Sequence, residues 1–108
     1  MIELDKKYVF HIPLFRYDDG ELIEIDIDDF LDDLISQFNE NGFDSMYTTK
    51  VRSYYKSRCF DELLLTLFVS SDENPEEIFK RWFEMNNDVL GQEALGWECE
   101  NKMFIVKL

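Results

Sequence analysis

The segment ELLLTLFVS, residues 62–70, limits the architecture of this chain more than any other part of the sequence. Side chains alternate between the two faces of a strand. Here both alternating sets are apolar, with Leu63, Leu65, Leu67 and Val69 on one side and Leu64 and Phe68 on the other. A strand that is apolar on both sides needs cover on both faces. The sequence therefore predicts a sheet with this strand in a central position.

Two segments have the three- and four-residue apolar spacing of an amphipathic helix. The first is expected to be capped by Asp26 and stopped by Gly42, and its apolar stripe contains Ile27, Phe30, Leu31, Leu34, Ile35 and Phe38. The second runs from Asn74-Pro75 to about Leu90, with Asn as the cap, Pro in the first turn, and Gly91 after the end. We predict one helix in each segment.

Three further segments have the composition of strands. They are residues 7–15, residues 44–58, which a turn at 59–61 would join to the central strand, and residues 92–108, which would form a terminal hairpin divided at Glu100-Asn101. This order is the split βαβ plan of ferredoxin-like domains. We predict an α+β fold, ferredoxin-like βαββαβ(β), with an antiparallel sheet, two helices on one face, and a single domain over residues 1–108.

Three short features agree with a known type of domain: the Asp19-Gly20 turn before the first helix, a basic second strand, and Gly91-Gln92-Glu93 leading into the terminal hairpin. With them the chain resembles a family of small bacterial domains of unknown function that have a ferredoxin-like or dimeric α+β-barrel fold. The resemblance implies a fold and a tendency to dimerise. It implies no catalytic residue.

The net charge restricts the partners of the protein. With 24 acidic and 11 basic residues the net charge is −13, which argues against direct binding to nucleic acid or to an anionic membrane. The two cysteines, Cys59 and Cys99, lack a second cysteine or histidine at ligand spacing. We expect them to be packing residues of a cytoplasmic protein that holds no metal and no cofactor, and the sequence leaves a disulfide between them open.

Nine carboxylates lie between Asp18 and Asp33, and no basic residue is among them. The run does not fit the register of an EF-hand, because Phe15 and Tyr17 stand at the first and third ligand positions upstream of Gly20. It offsets the dipole at the helix N-terminus, which is the favoured interpretation, or forms a recognition surface, or holds a looser magnesium or calcium site. Under the second interpretation the candidate partner-binding residues are Asp28, Asp29, Asp32 and Asp33.

These observations support a first hypothesis about function. The chain would be a non-enzymatic acidic protein-binding module, such as an immunity protein, an antitoxin or a nucleic-acid mimic, that neutralises a cationic protein. No phosphate loop, nucleophile elbow or metal-binding Cys/His pair is present, which weighs against an enzyme without excluding one.

The alternative hypothesis is a small-ligand-binding or weakly catalytic ferredoxin-like dimer. In the second strand, four basic residues and one tyrosine are at alternate positions and would lie on the same face. Basic side chains interleaved with tyrosine can bind an anion or stack on a base. The candidate ligand-binding residues are His11, Lys50, Arg52, Tyr54, Lys56 and Arg58. The same basic strand could instead be a charged edge that blocks aggregation.

The central strand at residues 62–70 and the last strand also predict self-association. Two helices on one face leave the other face of the sheet uncovered, yet both strands are apolar on both alternating sets, as Phe104 and Val106 against Met103 and Ile105 illustrate. We therefore expect a homodimer formed through the sheet face.

Overall fold

The computed structural model describes all residues from 1 to 108, which form seven strands and two helices. The bounds in chain order are β1 Lys6–Pro13, β2 Phe15–Asp18, β3 Glu21–Glu24, α1 Asp28–Glu40, β4 Ser45–Tyr55, β5 Arg58–Val69, α2 Glu76–Leu90, β6 Ala94–Cys99 and β7 Lys102–Lys107. Neither helix is long and apolar enough to cross a membrane.

The main sheet has five strands in the order β4-β5-β1-β6-β7, and every neighbouring pair in it is antiparallel. This is the strand order expected of a ferredoxin-like domain with one additional strand, and it confirms the predicted α+β fold. β5 and β1 lie inside the sheet and β4 is an edge, as predicted from the doubly apolar sequence of β5. The helices cover one face of β5, whereas Leu64 and Phe68 on its other face are partly exposed. Pro13, which cannot donate a backbone hydrogen bond, lies at the end of the β1 pairing, opposite Glu62.

One face of the sheet packs against the two helices and forms the core. Phe10 and Leu65 are fully buried there, and the ring centres of Phe10 and Phe79 are 4.6 Å apart. The indole nitrogen of Trp82 on α2 donates a hydrogen bond of 2.8 Å to the carbonyl oxygen of Phe30 on α1. The two helices are therefore joined to each other as well as to the sheet.

The opposite face, here called the outer face, is formed by the other alternating set of residues. Val9 and His11 of β1 lie on it together with Glu62 and Leu64 of β5 and Glu98 of β6. These residues are partly exposed, except Glu62, which is 8% exposed. The outer face is thus an open side of the sheet with one buried carboxylate on it.

The turn between β4 and β5 differs from the sequence prediction. It contains only Lys56 and Ser57, whose φ angles are 51° and 62°. Two successive residues with positive φ make the two-residue turn whose twist suits a hairpin. The turn predicted at residues 59–61 is therefore wrong, because these residues belong to β5 and pair with β4.

The helix ends agree with the sequence in part. Gly42 and Gly91 follow α1 and α2 with φ of +83° and +61°, as predicted for left-handed stops. The predicted side-chain caps are wrong: α1 begins after Ile27 and α2 after Pro75, and neither start has a side-chain cap hydrogen bond. Ile27 already has helical backbone angles, and its side chain is buried in the core.

The sequence did not predict the separate β2–β3 hairpin, which is joined to the end of α2. Arg16 of β2 donates a hydrogen bond of 3.0 Å from Nη1 to the carbonyl oxygen of Val89, and its side chain fills the space beside Gly91. The Nε2 group of Gln92 donates to the carbonyl oxygen of Phe15 at 2.9 Å. These contacts hold the hairpin beside the outer face.

Candidate functional site

A cavity of about 660 Å³ opens on the outer face, and it extends from the centre of the sheet to the β4–β5 turn. Its walls come from the β2–β3 hairpin, from the β4–β5 hairpin, and from the strands β6 and β7. The volume lies within the range of 300–1,000 Å³, roughly, that holds small-molecule ligands. The inner end contains His11, Ser53 and Glu62, and the outer end contains Tyr17, Tyr55, Lys56 and Arg58.

The inner end is organised around His11, the single histidine of the chain. Its Nδ1 lies 2.7 Å from Oε1 of Glu62, and its Nε2 lies 2.7 Å from Oε2 of Glu98. Ser53 donates a further hydrogen bond of 2.5 Å to the same Oε1 of Glu62. We call these four residues the carboxylate cluster.

The topology explains why these side chains meet. β1 lies between β5 and β6, so a polar side chain on its outer face has a neighbouring strand on either side. In the register, Pro13 is opposite Glu62 and Val9 is opposite Glu98, which places one carboxylate diagonally on each side of His11. Side chains at such diagonal positions are within reach of each other.

The contacts determine the charge of the imidazole. Burial alone would lower the pKa of His11, but the hydrogen bonds to Glu62 and Glu98 outweigh it, so the pKa is raised above 6.5. Only the imidazolium form can donate from both ring nitrogens at once. In its protonated form His11 is a cation held between two carboxylates, and the cluster then has one net negative charge.

Glu62 stays ionised although it is buried. Burial would raise its pKa, but the hydrogen bonds from His11 and Ser53 outweigh this effect and lower the pKa below 4.5. Both bonds go to Oε1, and Oε2 has no hydrogen-bond partner. The inner end of the cavity thus contains a fixed carboxylate with one oxygen free for a ligand.

The outer end combines aromatic rings with cations. The guanidinium carbon of Arg58 lies 4.1 Å from the ring centre of Tyr17, and the ammonium of Lys56 lies 5.4 Å from the ring centre of Tyr55. Tyr55 and Arg58 are opposite each other in the β4–β5 ladder. The four residues therefore form one continuous surface.

The structure divides the predicted ligand-binding residues into two groups. His11, Tyr54, Lys56 and Arg58 line the cavity. Lys50 and Arg52 do not, and each lies 3.8 Å from a carboxylate oxygen of Asp61. The two-residue turn is the reason, since β4 puts positions 50 and 52 on the face opposite to that of Arg58 in β5.

The predicted partner-binding residues lie elsewhere. Asp28 and Asp29 occupy the first turn of α1, where carboxylates offset the helix dipole. Asp32 and Asp33 are also exposed, and Asp33 accepts a hydrogen bond from Gln37 one turn later. None of the four lines the cavity.

Sequence reasoning did not identify Ser53, Glu62 and Glu98 as site residues. A signal existed for Glu62, which is the one acidic residue in a segment, 62 to 69, that is otherwise apolar except for Thr66. Glu98 stands between the buried Trp97 and Cys99, and alternation therefore places it on the outer face. When a central strand has a polar side chain on its outer face, charged side chains on its two neighbouring strands can both contact that side chain.

The cysteines do not take part in the cavity. Both are free, Cys59 exposed and Cys99 buried. Burial raises the pKa of the Cys99 thiol, and a buried protonated thiol is unreactive. Cys99 packs beside Tyr8, whose pKa is raised by burial and by the nearby Glu76 carboxylate.

The sequence matches no known protein-family model and no curated protein. Two solved structures are similar in fold. A phage SAM lyase in complex with S-methyl-5'-thioadenosine is 10% identical with a TM-score of 0.58, over 95% of this chain and 89% of that chain. A phage SAM lyase in the apo state is 14% identical with a TM-score of 0.56, over 100% of this chain and 95% of that chain.

These findings correct two predictions. The family of unknown function that the sequence resembles has no matching model, and the likeness that is found is to a small α+β fold shared with phage SAM lyase. The hypothesis of a non-enzymatic acidic inhibitor is also wrong, because the proteins that share the fold are named as enzymes acting on a small ligand. The small-ligand alternative is the better interpretation.

Proposed function

We propose that this protein is an enzyme that binds S-adenosylmethionine in the outer-face cavity and cleaves it as a lyase. The observation that carries the proposal is the free Oε2 of the ionised Glu62 at the inner end of a cavity of about 660 Å³. The fold shared with phage SAM lyase supports it.

A sulfonium group needs this kind of environment. It has a positive charge but no hydrogen to donate, so only negative charge and aromatic faces attract it. The cluster offers one net negative charge, and Glu62 is fixed by His11 and Ser53 before any ligand arrives. A group that is already in place costs no reorganisation when it meets the charge it stabilises.

The chemistry needs no cofactor. A carboxylate oxygen of the substrate's own amino-acid group forms a bond to the γ-carbon while the bond between that carbon and sulfur breaks. The electron pair stays on sulfur, so S-methyl-5'-thioadenosine leaves as a neutral thioether and the amino-acid part leaves as a lactone. The positive charge on sulfur disappears in this step, so Glu62 holds the substrate more tightly than the thioether product. Leu14, Phe60 and Leu95 line the same cavity, and surroundings of low polarity favour a step that removes charge.

The test is release of S-methyl-5'-thioadenosine from S-adenosylmethionine, followed by chromatography. The Glu62→Gln variant keeps the shape of the side chain but loses its charge. Because the carboxylate holds the charged substrate, we expect KM to rise by about tenfold or more and kcat/KM to fall with it. Asp61→Asn is the matched control, because this carboxylate is adjacent in sequence but pairs with Lys50 and Arg52 away from the cavity. Absence of product with the wild type, or a Glu62→Gln variant as active as wild type, would refute the proposal.

We further propose that the protein forms a homodimer through the outer face and works in the cytoplasm. An exposed aromatic side chain on this face, outside the cavity, supports the first part: Tyr47 is 54% exposed. The two free thiols support the second part. The excess of acidic side chains argues against nucleic acid as a partner.

A further inference from the structure

The outer end of the cavity has a different chemistry from the inner end. Its rings are accessible, with Tyr17 39% and Tyr55 45% exposed. Each ring already has a cation over it, Arg58 at 4.1 Å and Lys56 at 5.4 Å. Flat aromatic rings and guanidinium planes are the groups on which proteins stack nucleobases.

The cations at this end are not consumed by ion pairs. Lys56 and Arg58 have no carboxylate within 4.0 Å, although the chain has 24 acidic residues. On the same hairpin, Lys50 and Arg52 both pair with Asp61. Within the β4–β5 hairpin, the cations without an ion pair are thus those that line the cavity.

The two ends lie along a single strand at a fixed separation. Glu62 and Arg58 are four residues apart on β5 and lie on the same face, which puts their Cα atoms about 13 Å apart at about 3.3 Å per residue. The long side chains shorten this span. In an adenosyl sulfonium a ribose separates the sulfur from the base, so the two groups can reach the two ends together.

We propose that Tyr17, Tyr55 and Arg58 form a stacking platform for the adenine base, with the sulfur of the ligand directed inward to Glu62. The platform rests on the proposed function and gives it an orientation. The competing arrangement would put the amino-acid carboxylate at Lys56 and Arg58. The guanidinium of Arg58 lies over the ring of Tyr17, which suits stacking better than a side-on carboxylate contact.

Two ligand fragments separate these arrangements in titration calorimetry. S-Methyl-5'-thioadenosine has the base but neither charge nor carboxylate, and S-methylmethionine has the sulfonium and the carboxylate but no base. For Tyr17→Leu and for Tyr55→Leu we expect affinity for S-methyl-5'-thioadenosine to fall about tenfold. Affinity for S-methylmethionine should be unchanged, whereas Glu62→Gln should give the reverse pattern.

Control variants separate stacking from general damage. Tyr17→Phe and Tyr55→Phe keep the ring and should retain wild-type affinity for S-methyl-5'-thioadenosine. Tyr47→Leu removes an exposed ring of β4 that does not line the cavity, and it should bind both fragments like the wild type. Thermal melts of each variant establish that the fold is intact.

The outcomes are distinct. Unchanged affinity of both leucine variants for S-methyl-5'-thioadenosine would overturn the platform and leave the proposed function standing. Loss of S-methylmethionine binding in Arg58→Gln, with S-methyl-5'-thioadenosine unaffected, would overturn it in favour of the carboxylate arrangement. If wild type binds neither S-adenosylmethionine nor S-methyl-5'-thioadenosine, the proposed function fails and the platform fails with it.

Discussion

His11 controls how much negative charge the cavity offers. As an imidazolium it donates to Glu62 and Glu98 and cancels one of their two charges. When it loses its proton, one of these hydrogen bonds loses its donor, and the charge of Glu62, which lines the cavity, is no longer offset by a neighbouring cation. The titration of one side chain therefore couples protein stability to affinity for a cation.

The sign of the effect on stability follows from the pKa of His11, which is raised above 6.5 in the folded protein. The stabilisation is fully present below pH 6.5 and is lost as the pH rises through the folded-state pKa. We expect His11→Gln to be less stable than wild type by about 2 kcal/mol at pH 5.5. The difference should shrink towards pH 9 in urea denaturation, and a difference that does not vary with pH would contradict this account.

The contribution of Glu62 has the opposite sign. Its pKa is lowered below 4.5, so its stabilisation is present above pH 4.5 and is lost as the pH falls through the folded-state value. We expect wild type to lose its stability advantage over Glu62→Gln during acidification below pH 4.5, as followed by circular dichroism. An advantage that persists unchanged to pH 2 would show that the carboxylate is not ionised in the folded protein.

Alternation along β1 predicted the face on which His11 lies but not its partners. Phe10 and Ile12 are buried and His11 faces outward, as the sequence indicated. Glu62 and Glu98 are 51 and 87 residues away along the chain. Which side chains lie beside a given residue of a strand depends on the register of the neighbouring strands. That register cannot be derived directly from a single sequence.

The helices and strands whose apolar residues recur at a regular spacing were predictable from the sequence, and those without such a spacing were not. Both helices follow the apolar spacing, and β5 is central as its composition requires. All four residues of β3, Glu21–Glu24, are exposed, so no buried set marks it as a strand. The turn at Lys56-Ser57 lacks the Asn-Gly or Asp-Gly pair that usually indicates such a hairpin turn in a sequence.

The β4–β5 turn provides a test at this scale. Ser57 has a φ of 62°, a conformation that costs a residue with a side chain about 1 kcal/mol more than glycine. We expect Ser57→Gly to raise the melting temperature by about 5 °C. Gly42→Ala, at a φ of +83°, should lower it by a similar amount. If Ser57→Gly lowers the melting temperature, the turn has a different conformation in solution.

At the scale of the whole molecule, net charge was a poor guide to function. The value of −13 led to the hypothesis of an acidic inhibitor, but it is a sum over the surface. The candidate site depends on the local arrangement of a few residues, and its outer end is cationic. A total charge describes solubility and long-range attraction and contains no information about such a site.

The same charge affects the proposed homodimer. Two copies of a chain with a charge of −13 repel each other, and salt screens this repulsion over about 8 Å at physiological ionic strength. We expect light scattering at high micromolar concentration to show a dimer whose fraction rises with salt. Tyr47→Lys, which puts a charge at an exposed position of the outer face, should favour the monomer. A strict monomer of wild type at every salt concentration would refute the dimer.

The contact between Arg16 and Gly91 couples the effects of substitutions at two positions that are far apart in the chain. A Cβ atom at position 91 would lie 2.9 Å from Cδ of Arg16, and the backbone there has a φ of +61°. Substitutions at the two positions should therefore be non-additive. Replacing Arg16 first removes its hydrogen bond to Val89 and opens space beside position 91. Replacing Gly91 first puts a side chain on a strained backbone and against the Arg16 side chain. A substitution of Gly91 made after the loss of Arg16 therefore meets only the backbone strain, whereas one made before it also meets the Arg16 side chain.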